Sequence, residues 1–165
     1  MIAAALRALG GLGSLGLAGA TGLASALLPV VNAEAYALVN AARPGPASVW
    51  PVVVALAVGQ TAGKLVLFES ARRGAVAWLS RLHRPGKQPR RAGRWTGRAS
   101  TWLRSRWGGP AIVLSSAAVG LPPLAAVSLA AGAAGQRRVV FGVVCLVGRT
   151  ARFAALTAPI VWAAD

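Results

Sequence analysis

Acidic residues are nearly absent from this chain. Glu34, Glu69 and Asp165 are the only three among 165 residues, against 18 lysines and arginines, for a formal net charge of +15. Charged residues of either sign make up 13%, about half the ~25% typical of soluble domains. That scarcity excludes an ordinary soluble enzyme and a disordered basic tail. Cys145 is the single cysteine and His83 the single histidine. An intramolecular disulfide, an imidazole- or thiolate-based metal site and Cys–His nucleophilic catalysis are excluded with them. No nucleophile stands beside a base, so no enzymatic activity, metal or cofactor is expected.

What the chain has instead is apolar surface and one basic belt. Hydrophobic residues make up 56% and the mean hydropathy is +0.60. Of the 18 basic residues, 11 lie between Arg72 and Arg106. A net charge this positive ordinarily points to nucleic acid. Concentrated in one stretch of an otherwise apolar chain, it points to an integral membrane protein with a large cytoplasmic loop. Trp95, Ala99, Trp102 and Leu103 share one helical face in that loop. They predict a short basic amphipathic helix on an anionic membrane surface, with lipid rather than nucleic acid as its partner.

Charge-free windows set the organisation. They run from Ala8 to Ala33, from Pro44 to Gly63 and from Trp107 to Gln136, and a fourth apolar stretch, Val139 to Trp162, carries Arg149 and Arg152. Segments 50–71 and 139–162 have the ~20 residues a membrane helix needs. The other two windows are broken. Gly120-Leu121-Pro122-Pro123 interrupts one and Leu28-Pro29 the other. Proline removes backbone donors and glycine permits reversal, so a re-entrant hairpin is expected over 109–135, with a counterpart near Pro29. Four parts follow: an N-terminal membrane helix at 1–24, a first hairpin plus helix at 25–71, the basic loop at 72–107 and a second hairpin plus helix at 108–163. The apolar N-terminal run is too long for a usual secretory signal and is expected to stay as a membrane helix. The positive-inside rule places 72–106 in the cytoplasm and brings Trp50 and Trp162 to the outer interface.

An internal repeat ties the two halves together. Val58-Gly59-Gln60-Thr61-Ala62 and Val147-Gly148-Arg149-Thr150-Ala151 match at four of five positions. Each lies in a predicted spanning helix that follows a Leu-Pro break. With the topology above the two helices run in opposite directions, and inverted repeats with broken helices are a transporter pattern. The segments Leu28-Pro29-Val30-Val31-Asn32-Ala33-Glu34, Val58 to Lys64, and Gly120-Leu121-Pro122-Pro123-Leu124 with Ala131-Gly132 resemble the DedA family, the VTT-domain or SNARE-associated Golgi protein-like membrane proteins. The resemblance covers roughly residues 25–70 and 109–160. It implies an all-α inverted-repeat fold with two re-entrant hairpins. It also implies lipid transport: recycling of polyprenyl-phosphate carriers, or phospholipid scrambling. Embedded acids in that family are linked to proton coupling and arginines to the anionic lipid. Many relatives carry a Phe-x-Pro second hairpin with flanking arginines, whereas here Trp107 to Gln136 is uncharged.

Ionisable groups at membrane depth are costly and therefore candidates for function. Glu34 is the only acid in either hairpin. Arg149 and Arg152 lie near the middle of the last helix, about 16 Å or more from its start. A guanidinium there wants a carboxylate or a phosphate. Gln60 and Lys64 form an i, i+4 pair on the preceding long helix. Embedded positive charge exceeds negative, so an external anion is a natural partner. The expected function is movement of an anionic phospholipid or polyprenyl-phosphate across a bacterial inner membrane, held by Arg149 and Arg152, with Glu34 exchanging a proton. Two rivals are a non-transporting scaffold with a lipid-docking loop and a small proton-coupled drug exporter.

Overall fold

Alanine- and leucine-rich runs favour helix, and prolines fall mainly between the helices or in their first turns, with Pro159 inside the last one. The computed structural model describes residues 2–28, 31–42, 49–82, 105, 107–121 and 123–164. These form six helices and no strand among the described residues: α1 Ile2–Leu27, α2 Ala33–Ala41, α3 Val49–Leu82, α4 Gly108–Val119, α5 Leu124–Ala133 and α6 Arg138–Ala164. Pro29, Pro122, His83 and the amphipathic stretch 94–104 lie outside the described residues.

Two boundaries differ from the sequence reading. α1 runs unbroken to Leu27, so the N-terminal helix placed at 1–24 and the first arm of the hairpin placed from residue 25 are one helix. Nothing before Pro29 stops it, and the residue ahead of a proline is the first that disfavours helix. α3 runs past residue 71 to Leu82, so the start of the basic belt is helical. Positive charge marks where a membrane would end, not where a helix must end, and no helix breaker precedes Pro85.

α3 and α6 each contain a 26-residue apolar segment, Val49–Gly74 and Arg138–Ala163, long and apolar enough to cross a membrane. α1 has 26 residues, with Gly11–Leu27 as its apolar part. α4 has 12 residues and α5 has 10, so at 1.5 Å per residue they reach only ~18 and ~15 Å. α1 packs with α2, and α4 with α5. Gly120 ends α4 in the left-handed region at φ 91°, its N–H donating to the Ser116 carbonyl, and Pro123 opens α5 as its N-cap. The glycine supplies a conformation that other residues resist.

The chain divides into two compact units that share both long helices. Unit 1 comprises residues 1–63 and 149–165; unit 2 comprises 64–148. The divisions fall between Gly63 and Lys64 and between Gly148 and Arg149, beside or within the repeated motif. Unit 1 thus holds α1, α2 and a part of each of α3 and α6, and unit 2 holds α4, α5 and the rest of α3 and α6.

In unit 1, α1 and α3 meet backbone to backbone. A β-carbon on Gly22 would lie 2.3 Å from the Leu56 carbonyl oxygen, and one on Gly59 would lie 2.0 Å from that of Gly19. Small-residue contact of this kind is how helices associate where apolar side chains gain nothing from leaving lipid. Leu56, Ala57, Phe153 and Thr157 are fully buried in the same unit. In unit 2, Phe68 and Phe141 stack with centroids 4.7 Å apart. Val113, Ala117, Leu124, Val127, Ala131 and Cys145 close around them.

Candidate functional site

Asn32 positions Glu34, the one acid of α2. Its side-chain oxygen accepts from the backbone N–H groups of Glu34 and Ala35, at 2.9 and 3.1 Å, and caps α2. The cap fixes Glu34 in the first turn, where a carboxylate is favoured by the helix dipole. Glu34 Oε1 accepts from Arg152 of α6, from Nη2 at 2.7 Å and Nε at 2.8 Å. Both donors converge on a single oxygen. Arg152 sits ~21 Å along α6 from Arg138 by helix rise, close to the middle of the membrane-length segment. The pair joins residues 118 apart, and both side chains keep access to their surroundings, at 36% exposure for Glu34 and 23% for Arg152.

Gln60 is buried one helix turn from the glycine contacts. Its Nε2 donates to Ser25 Oγ at 2.7 Å, and Ser25 Oγ donates to the Gly22 carbonyl at 2.8 Å. The Gln60 carboxamide oxygen is buried without a hydrogen-bond partner. This network clips α1 to α3 a few residues before α1 ends.

The sequence-predicted residues divide accordingly. Glu34 and Arg152 are brought together within unit 1. Arg149 stands one turn earlier on α6 and is half-buried. Lys64 is buried, at 6% exposure, rather than extended toward a helix end. Glu69 pairs with Arg73 at 3.3 Å on an outer face of α3, an i, i+4 contact of small energetic weight. Gly120 and Pro123 form the second break as expected.

Asn32 and Ser25 complete the arrangement. Asn32 is legible in the sequence, since an asparagine just ahead of an acid and an apolar run is an N-cap signature. Ser25 is not, because its value depends on a partner 35 residues away. Comparison with known proteins finds no matching family model, characterised protein or solved structure.

Proposed function

We propose that this protein is a lipid transporter or scramblase of DedA-like fold in a bacterial inner membrane, moving an anionic phospholipid or a polyprenyl-phosphate. The observation that carries the proposal is the Glu34–Arg152 pair. It ties a capped short helix to the middle of a membrane-length helix and stays partly open. An arginine at such a place must be matched by an anion, and its planar fork suits phosphate. A headgroup phosphate reaching Arg152 replaces the Glu34 carboxylate, with Arg149 one turn away on the same helix. The acyl or prenyl tail stays in the bilayer. Buried Gln60 lies on α3 within the same unit as the pair.

Two further features support the reading. α4 and α5, at 12 and 10 residues, have the lengths of re-entrant arms. Trp50 and Trp162, at the start of α3 and the end of α6, are exposed, as interfacial tryptophans are. The basic stretch 72–106 then faces the cytoplasm. The test is reconstitution of the full chain into liposomes carrying acyl-chain-labelled lipids. Anionic lipid should cross faster than in protein-free vesicles and faster than phosphatidylcholine. Equal rates with and without protein reject the proposal.

A further inference from the structure

α5 closes with a tight reversal. Gly135 adopts φ 74°, its N–H donates to the Gly132 carbonyl and the Gln136 N–H donates to that of Ala131. This is a Schellman motif, in which the residue at position 136 usually makes an apolar contact back to the helix. The same residue immediately precedes Arg137, whose carbonyl accepts the first helical bond of α6 from the Phe141 N–H. That place, too, is one that apolar residues usually fill, against a partner four positions into the helix. Here that partner position is Phe141, which is fully buried. Two local rules call for an apolar residue, and the chain has glutamine. Gln136 is 8% exposed, and both polar atoms of its carboxamide are buried without a hydrogen-bond partner.

The surroundings name what the amide is for. The first turn of α6 has N–H groups without helical acceptors and carries no acid, so it favours an anion. Arg137 and Arg138 are both exposed beside it. From this end a stripe of exposed valines, Val139, Val143 and Val147, runs along α6 at one residue per turn. α6 as a whole offers such surface: 22% of its membrane-length segment is buried by the protein, against 56% for α3. Phosphate chemistry at the helix end, joined to an apolar track leading away from it, is the outline of a phospholipid rather than of free phosphate.

We propose that Gln136, Arg137, Arg138 and the start of α6 form a binding site for an anionic glycerophospholipid, its acyl chain on the Val139–Val143–Val147 stripe. The Gln136 amide donates to a phosphate oxygen, and its carbonyl accepts from a headgroup hydroxyl such as those of phosphatidylglycerol. A change of side-chain rotamer carries the covered carboxamide out to the guanidinium groups, and its unmet hydrogen bonds favour that exit. The site lies within unit 2, separate from the Glu34–Arg152 pair. It requires that α6 meet lipid, not that the protein transport it.

The test uses the full chain in detergent, titrated with phosphatidylglycerol, phosphatidylcholine or inorganic phosphate, and read by native mass spectrometry and thermal unfolding. The wild type should retain phosphatidylglycerol about ten-fold more tightly than phosphatidylcholine and gain Tm from it. Gln136→Leu should raise Tm in phosphatidylcholine, since an unmet amide is removed, yet lose about ten-fold in phosphatidylglycerol affinity. Gln136→Met serves if the leucine variant does not fold. Replacing Arg137 and Arg138 together by Gln should abolish the preference. Full preference in Gln136→Leu or Gln136→Met makes Gln136 a packing residue and overturns the proposal. A Tm gain from inorganic phosphate equal to that from phosphatidylglycerol makes free phosphate the ligand and overturns it as well. No lipid preference in the wild type does the same.

Discussion

The two units are held together differently. Unit 1 takes α1, α2 and a part of each of α3 and α6, and unit 2 takes α4, α5 and the rest of α3 and α6. Unit 1 joins α1 to α3 by backbone contact at Gly22 and Gly59, then adds the Gln60–Ser25 and Glu34–Arg152 clips. Unit 2 is organised by the stacked rings of Phe68 and Phe141. The repeat shows where they part. Gly59 and Gly148 hold the same place in the five-residue motif, one against α1 and the other against α4. One turn on, α3 has Gly63, pressed against Ala26, while α6 has Arg152. The position that closes helix packing after one copy of the motif carries a charge after the other.

Substitutions that attack the scaffold should have the largest effects. Gly59→Leu puts a side chain where a β-carbon alone would meet the Gly19 carbonyl at 2.0 Å. Neither backbone can yield cheaply, so destabilisation above about 3 kcal/mol and loss of a monodisperse species in size-exclusion chromatography are expected. Phe68→Ala empties the centre of unit 2 and should cost about 3–5 kcal/mol, read as a fall in Tm by intrinsic tryptophan fluorescence. Comparable losses from these two variants would confirm that backbone contact in one unit matches aromatic packing in the other.

The clips come next. Arg152→Ala should cost about 1–2 kcal/mol, between the weights of surface and buried pairs, because both partners are partly exposed. Glu34→Gln should cost less than Arg152→Ala, since the neutral amide can still accept a hydrogen bond. A double-mutant cycle over the two sites should show coupling above about 0.5 kcal/mol. Additive losses would mean that the contact seen here contributes nothing. Smallest is Gly142→Ala, where a β-carbon lies 3.7 Å from Leu65 Cδ1, ordinary contact. It should be neutral or stabilising by up to ~1 kcal/mol through helix propensity. Gly148→Ala, 2.6 Å from the Ala117 β-carbon, should lower Tm instead.

Much of this organisation was legible in the sequence, for reasons that are local. Charge-free windows and prolines place the helices and their breaks, because burial and the missing amide proton act within a few residues. The repeated motif lies in both long helices and ends one residue before Arg152. Charge counting pointed to Glu34 and the α6 arginines, since an embedded charge has few ways to be satisfied. The helix ends at Leu27 and Leu82 are not legible, because a change in polarity along the chain is not a change in backbone. The Ser25–Gln60 clip, the Phe68–Phe141 stack and the buried state of Lys64 depend on which helices meet, and no local pattern encodes that.

The central claim is that Arg152 serves as the anion-holding group that Glu34 covers at rest. Its most direct test is the rate of phosphatidylglycerol and polyprenyl-phosphate movement in liposomes holding matched amounts of wild type, Glu34→Gln, Arg152→Ala and the double variant. The account predicts that Arg152→Ala abolishes movement, that Glu34→Gln keeps lipid binding but removes the dependence of movement on a pH gradient, and that the double variant is no slower than Arg152→Ala alone. Wild-type rates in all three variants would contradict it and leave the protein a membrane scaffold.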